Sequence, residues 1–152
     1  MLTGERLDKE AQLVLRRACE TALQRRFVLT AEDIMLALFD EPGETLRVAC
    51  DRLAVDASRI VGRIAKLSAG EDLAFLPPGH SANRLGILPE VYGFLRQANL
   101  MALRRGRKRI STEHLLLAIM ARQSALARIL ADAGLTYERL TDALNSLHRL
   151  SG

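Results

Sequence analysis

Two short stretches gather most of the side chains that could bind or react. Leu29–Thr30–Ala31–Glu32–Asp33 and Ile110–Ser111–Thr112–Glu113–His114 each set an acid two places after a hydroxyl residue, and each runs on into a solid apolar segment. A hydroxyl before an apolar run is a helix N-cap, and an acid just behind it faces the positive end of the helix dipole. The same acids, Glu32 and Glu113, could instead hold a cationic group of a partner. Ser, Cys and His side chains are present, but no Gly-x-Ser-x-Gly or comparable signature surrounds any of them, and triad members are recognised by their meeting in space. His114 has no second histidine at ligand spacing, since His80 and His148 lie far off, so no metal site is expected. Cys19 and Cys50 have neither metal nor redox spacing and read as reduced thiols within apolar helical patterns. The run Arg104, Arg105, Arg107, Lys108, Arg109 could touch an acidic partner or nucleic acid, but no aromatic residues interleave it for stacking on bases. No Gly-x-x-x-x-Gly-Lys-Ser/Thr occurs, so the sequence offers no phosphate-cradling loop for ATP. These residues point to binding: no enzyme activity and no cofactor are expected.

The elements that position these residues come twice. Glu32 and Glu113 stand 81 positions apart, and Leu7, Ala11, Val14, Ala18 and Ala22 carried forward by 81 become Leu88, Tyr92, Leu95, Asn99 and Leu103. A shared apolar register over more than thirty residues reads as an internal duplication. Spacings of three and four predict a first helix from about Glu5 to Arg26, buried through Leu7, Ala11, Val14, Leu15, Ala18 and Ala22. Thr30 starts a second, nearly all-apolar helix over about 31–39, the buried centre of its repeat. Pro42–Gly43 turns the chain into helices over about 44–53 and 57–67, the latter started by Asp56 or Ser58. Residues 68–87 hold Gly70, Pro77, Pro78, Gly79 and Gly86 and read as a link, with Leu73, Phe75 and Leu76 packing it down. The second copy then predicts helices over about 88–105, with Pro89 in its first turn, and over 112–121, 124–133 and 137–149. Leu135 answers Val55 at an offset of 80, which places a one-residue deletion between the sixth and seventh helices.

The expected architecture is therefore all-α, two tandem four-helix repeats (5–67 and 88–149) related by a pseudo-two-fold and packed as one domain over 1–152. The seam between copies and the grooves beside the first and fifth helices are the natural places for a partner. Composition agrees: 49% apolar, 26% charged and only six aromatic residues suit a helical globular domain. The net charge of +4 is local, because the five cations of residues 104–109 account for all of it. The charged N-terminal stretch and the lack of an apolar run near ~18 residues argue for a cytoplasmic chain without a membrane span.

The double Thr/Ser-x-Glu-x-apolar block, the Asp40–Glu41–Pro42–Gly43 turn and the two Leu/Ala-rich halves resemble the N-terminal double Clp-repeat domain of the Clp AAA+ unfoldases, over nearly the whole chain. The block Ile110–Ile119 is the most specific part of the likeness. The resemblance implies two Clp repeats and a non-catalytic domain that recruits substrate proteins or an adaptor protein to an AAA+ unfoldase ring, in cis or in trans. A stand-alone Clp-like adaptor or regulator, and a nucleic-acid binder working through Arg104–Arg109, are the alternatives. In the Clp type that recognises phosphoarginine, Glu32 and Glu113 would match the acids that meet the guanidinium. Its phosphate-holding threonines fall near Asp8 and Leu88, where neither side chain donates a hydroxyl and an acid repels phosphate. In the disaggregase type, an apolar groove beside the fifth helix takes unfolded segments, and its positions match Gln97, Met101 and His114.

Overall fold

The computed structural model describes residues 7–25, 28–70, 86–87, 89–122 and 124–151. It is all-α, with eight helices among these residues: α1 (Lys9–Arg25), α2 (Ala31–Asp40), α3 (Glu44–Arg52), α4 (Ala57–Gly70), α5 (Pro89–Arg104), α6 (Thr112–Arg122), α7 (Ser124–Asp132) and α8 (Tyr137–Ser151). The expected packing of Leu73, Phe75 and Leu76 falls outside the described residues. Two-residue strands β1 (Val28–Leu29) and β2 (Gly86–Ile87) pair in parallel.

Each start and stop has a local cause. Thr30 caps α2 in a reciprocal box with Asp33: the Thr30 hydroxyl accepts from the Asp33 N–H at 3.3 Å, and the Asp33 carboxylate accepts from the Thr30 N–H at 3.1 Å. Asp56 Oδ1 accepts from the Arg59 N–H at the head of α4, and Pro89 takes the first position of α5, where its missing N–H costs nothing. The ends of α3 and α7 share one device. Val55 N–H reaches back to Cys50 O and Leu135 N–H to Leu130 O, six-residue closures that force the preceding residue to positive φ. That residue is Gly134 in one copy (φ 96°) and Ala54 in the other (φ 54°).

The central helices carry the core. In α6 every residue from Thr112 to Met120 is buried, and α2 buries Ala31, Ile34, Met35, Ala37 and Leu38. α1 lies on α2 and α5 on α6, while α2 and α6 touch each other. Cross-repeat packing is reciprocal: α3 meets α8 as α4 meets α7, and each pairing becomes the other when the copies are exchanged. Arg63 on α4 adds an exposed ion pair to Asp132 on α7 at 2.7 Å, of little weight in water. One apolar cluster draws on both repeats.

The repeat register departs from the expected 81 in the first pair of helices, while the 80 expected beyond the sixth helix is what the structure shows. α1 buries Ala11, Val14, Ala18 and Ala22, and α5 buries Val91, Phe94, Ala98 and Ala102, an offset of 80. Tyr92 and Leu103, expected inside, are 38% and 52% exposed. The offset is 81 for α2 and α6 and returns to 80 for α3–α7 and α4–α8. The second copy thus gains a residue in the basic loop, where Gly106 turns with φ 71°, and loses it again between α6 and α7. The outward face of α5 is itself apolar, which is why the wrong register looked right.

Cys19 and Cys50 are free and half-buried. Desolvation, with Asp51 adding to it, pushes the Cys50 thiol up to about 11.

Candidate functional site

The helix starts that carry the candidate acids meet across the repeats. Leu7, just before α1, bridges in parallel to Ile110, just before α6, and the Asp8 N–H donates to Ile110 O at 2.9 Å. β2, just before α5, pairs with β1, just before α2, through Val28–Gly86 and Leu29–Ile87. Each repeat therefore lends the entry to its first helix to the second helix of the other, and Asp8 comes beside Glu113. Leu88, the counterpart of Asp8 eighty residues on, lies outside the described residues, next to Ile87. Glu32 is half-buried in the first turn of α2, three residues after β1 ends.

At the Asp8–Glu113 junction the polar groups are committed to one another. Asp8 Oδ1 accepts from the Ala11 N–H at 2.8 Å and so caps α1. Burial raises the Asp8 carboxyl above the ordinary carboxylate range, the Ala11 hydrogen bond opposes this, and the Glu113 charge adds to it. Ser111 donates its hydroxyl to Glu113 Oε1 at 2.7 Å, and its backbone N–H donates to His114 Nδ1 at 3.0 Å. His114 thus holds, in the second copy, the place of Asp33 in the capping box of the first. Thr112 donates its hydroxyl to Pro42 O at 2.6 Å, and Glu10 accepts the Glu44 N–H at 3.0 Å. The turn between α2 and α3 is held on both sides, and a Cβ on Gly43 (φ 81°) would overlap the Glu10 carboxylate.

This arrangement is not a hydrolytic triad, although Ser111, Glu113 and His114 do meet. A triad needs the acid to orient the imidazole from its far nitrogen. Here the carboxylate accepts from the serine itself, and the imidazole, 0% exposed, meets both the Ser111 backbone N–H and the Ser111 hydroxyl, each at 3.0 Å, through the same Nδ1. Its residues cap a helix. Among the described residues no three His, Cys, Asp or Glu side chains gather as metal ligands would.

The positions proposed for an apolar groove on α5 are mostly inside. Met101 is 7% exposed and His114 fully buried, with Gln97 half-buried. A charged residue at Met101 would enter the core and test the fold before it tested a groove. Open grooves occur elsewhere. One of about 300 Å³ lies beside α1, lined by Arg17, Thr21, Leu36, Phe39 and Val61. Another of about 360 Å³ lies on the α3–α8 seam, lined by Arg52, Leu53, Arg139, Asp142 and Ser146. Sequence reasoning missed the Thr112–Pro42 and Glu10–Glu44 links, which join residues 70 and 34 positions apart without a local signal.

The sequence pattern of the Clp repeat (R) N-terminal domain family matches residues 6–133 and again 89–150. The fold is similar to that of the Hsp104 N-terminal domain from Candida albicans, with a TM-score of 0.75, 16% identity, and 95% of this chain and 92% of that one covered. It is also similar to the N-terminal domain of the ClpV1 ATPase from E. coli EAEC Sci1 T6SS, with a TM-score of 0.71, 21% identity, and 90% and 82% covered. A further match, with a TM-score of 0.69, 22% identity, and 93% and 90% covered, comes from a structure described as a peptide from the EAEC T6SS Sci1 SciI protein. No curated protein matches by sequence.

Proposed function

Because the chain belongs to the Clp repeat N-terminal domain family, we propose that it is a non-catalytic protein-binding module that recruits substrate proteins or an adaptor to a Clp AAA+ unfoldase ring, in cis or in trans. The observation that carries this reading is the family match, which runs over both repeats. The similar structure described as a SciI peptide adds to it, since a peptide is there associated with this fold. The polar groups at the junctions support it as well. Among the described residues they close helix ends. Asp8 beside Glu113 favours a cationic side chain in that junction over a phosphorylated one, because two neighbouring carboxylates repel phosphate.

The test is a graft. A Clp ring whose own N-terminal domain has been replaced by this chain should unfold a tagged client faster than the same ring with no N-terminal domain. Pairing Glu32→Gln with Glu113→Gln should lower client capture while circular dichroism stays unchanged. Equal unfolding rates for grafted and bare rings would overturn the reading.

A further inference from the structure

Helix α5 has a second apolar face that the core does not use. It buries Val91, Phe94, Ala98, Met101 and Ala102, yet Tyr92, Leu100 and Leu103 are 38%, 47% and 52% exposed. At about 100° per residue these three fall, with the exposed Arg96, in one sector of about 80° opposite the buried side. The stripe runs along the helix for about 16 Å.

The duplication supplies its own control. Eighty residues earlier, in α1, the positions of Tyr92, Arg96, Leu100 and Leu103 hold Gln12, Arg16, Glu20 and Leu23. α1 packs on α2 as α5 packs on α6, with polar side chains at three of those four places. The fold therefore does not require an apolar outer face on α5.

Charge says what would cover it. Arg96 and Arg104 are exposed on the helix, and Arg107, Lys108 and Arg109 are exposed just beyond its end. The one acid of α5, Glu90, lies in the first turn, at the other end from Leu103. We infer that this face docks an acidic amphipathic helix of a partner protein, with apolar residues every three or four positions on Tyr92, Leu100 and Leu103 and carboxylates towards Arg96, Arg104 and the basic loop. An anionic membrane fits less well, because the stripe lies along a helix flank with Arg96 inside it. Nucleic acid would waste the two leucines, and Tyr92, the aromatic residue of this face, lies at the other end of the helix from Arg104 and the basic loop.

This surface is distinct from the two junctions, and the inference goes beyond the recruitment reading by naming a partner's chemistry. The probe is a capped synthetic peptide of ~18 residues with leucines at helical spacing and flanking glutamates, titrated against the whole chain by fluorescence anisotropy. Saturable binding should weaken at least about tenfold when Leu100→Ser is combined with Leu103→Ser, since central apolar anchors dominate such contacts. Arg96→Glu with Arg104→Glu should weaken it as much and regain affinity for a peptide carrying lysines in place of the glutamates. All four positions are exposed, so the variants should keep the wild-type melting temperature. Equal affinity for wild type and variants would overturn the inference. So would variant-sensitive binding of phosphatidylglycerol vesicles or duplex DNA with no binding of the peptide. Failure here leaves the graft experiment untouched, and failure of the graft leaves a bound peptide unexplained by recruitment alone.

Discussion

The junction residues show how little a side chain's type says before its neighbours are known. Asp8 reads in sequence as an unremarkable acid near a chain start, yet it caps α1 while sharing a partly desolvated corner with Glu113. Its carboxyl is raised in the folded state, so between the ordinary value near 3.8 and the raised one the native chain binds more proton than the unfolded chain. Stability attributable to Asp8 must then fall as pH rises through that window and level off above it. Asp8→Asn keeps a capping oxygen but cannot titrate. Urea denaturation from pH 3 to pH 7 should therefore show the variant gaining on wild type as pH rises, reaching a constant advantage at neutral pH. Parallel curves for the two proteins would remove Asp8 from the account. Asp132 moves the other way, lowered chiefly by its hydrogen bond to Arg63, so its contribution is lost as pH falls.

At the scale of elements, much was legible because caps and breakers are local. Thr30 with Asp33, Pro42–Gly43, Asp56, Pro89 and Gly134 each marked a boundary that the backbone respects to within a few residues. The register of α5 was not legible. A helix apolar on two faces satisfies more than one period, and only the burial of Val91, Phe94 and Ala98 in place of Tyr92, Leu95 and Asn99 decides between them. The pairing of Asp8 with Glu113 was equally hidden, since a two-residue parallel bridge between segments a hundred residues apart leaves no pattern in either. The helix ends allow a direct check on the duplication. Ala54 occupies the left-handed position that Gly134 fills in the other copy, and a Cβ there is disfavoured by roughly 1 kcal/mol. Ala54→Gly should therefore raise stability by about 0.5 kcal/mol after the added freedom of the unfolded chain is counted, and Gly134→Ala should lower it by about 1 kcal/mol. Thermal denaturation of both variants reads this, and matching signs would mean that the two turns are not equivalent.

For the whole molecule, what matters is how much of each repeat's packing belongs to the other. α3 rests on α8 and α4 on α7, α2 touches α6, and both strand pairings run between the copies. Even the turn before α3 is held by Thr112 of the second repeat. A repeat cut free would leave the faces of two helices and the flank of its central helix in water, while the entropy of ordering its chain would stay the same. At about 70 residues a lone half is already near the size at which a single core barely suffices. The fragment of residues 1–70 should accordingly show weak helicity and no cooperative melt. The whole chain should unfold in one transition, with calorimetric and van't Hoff enthalpies in agreement. Mixing fragment 1–70 with fragment 71–152 should restore helical signal in proportion to complex formed, because the missing contacts are mutual. A fragment that melts cooperatively by itself would show that the seam joins two finished units. It would then be a place where partners could wedge the copies apart, and no longer the structure on which both depend.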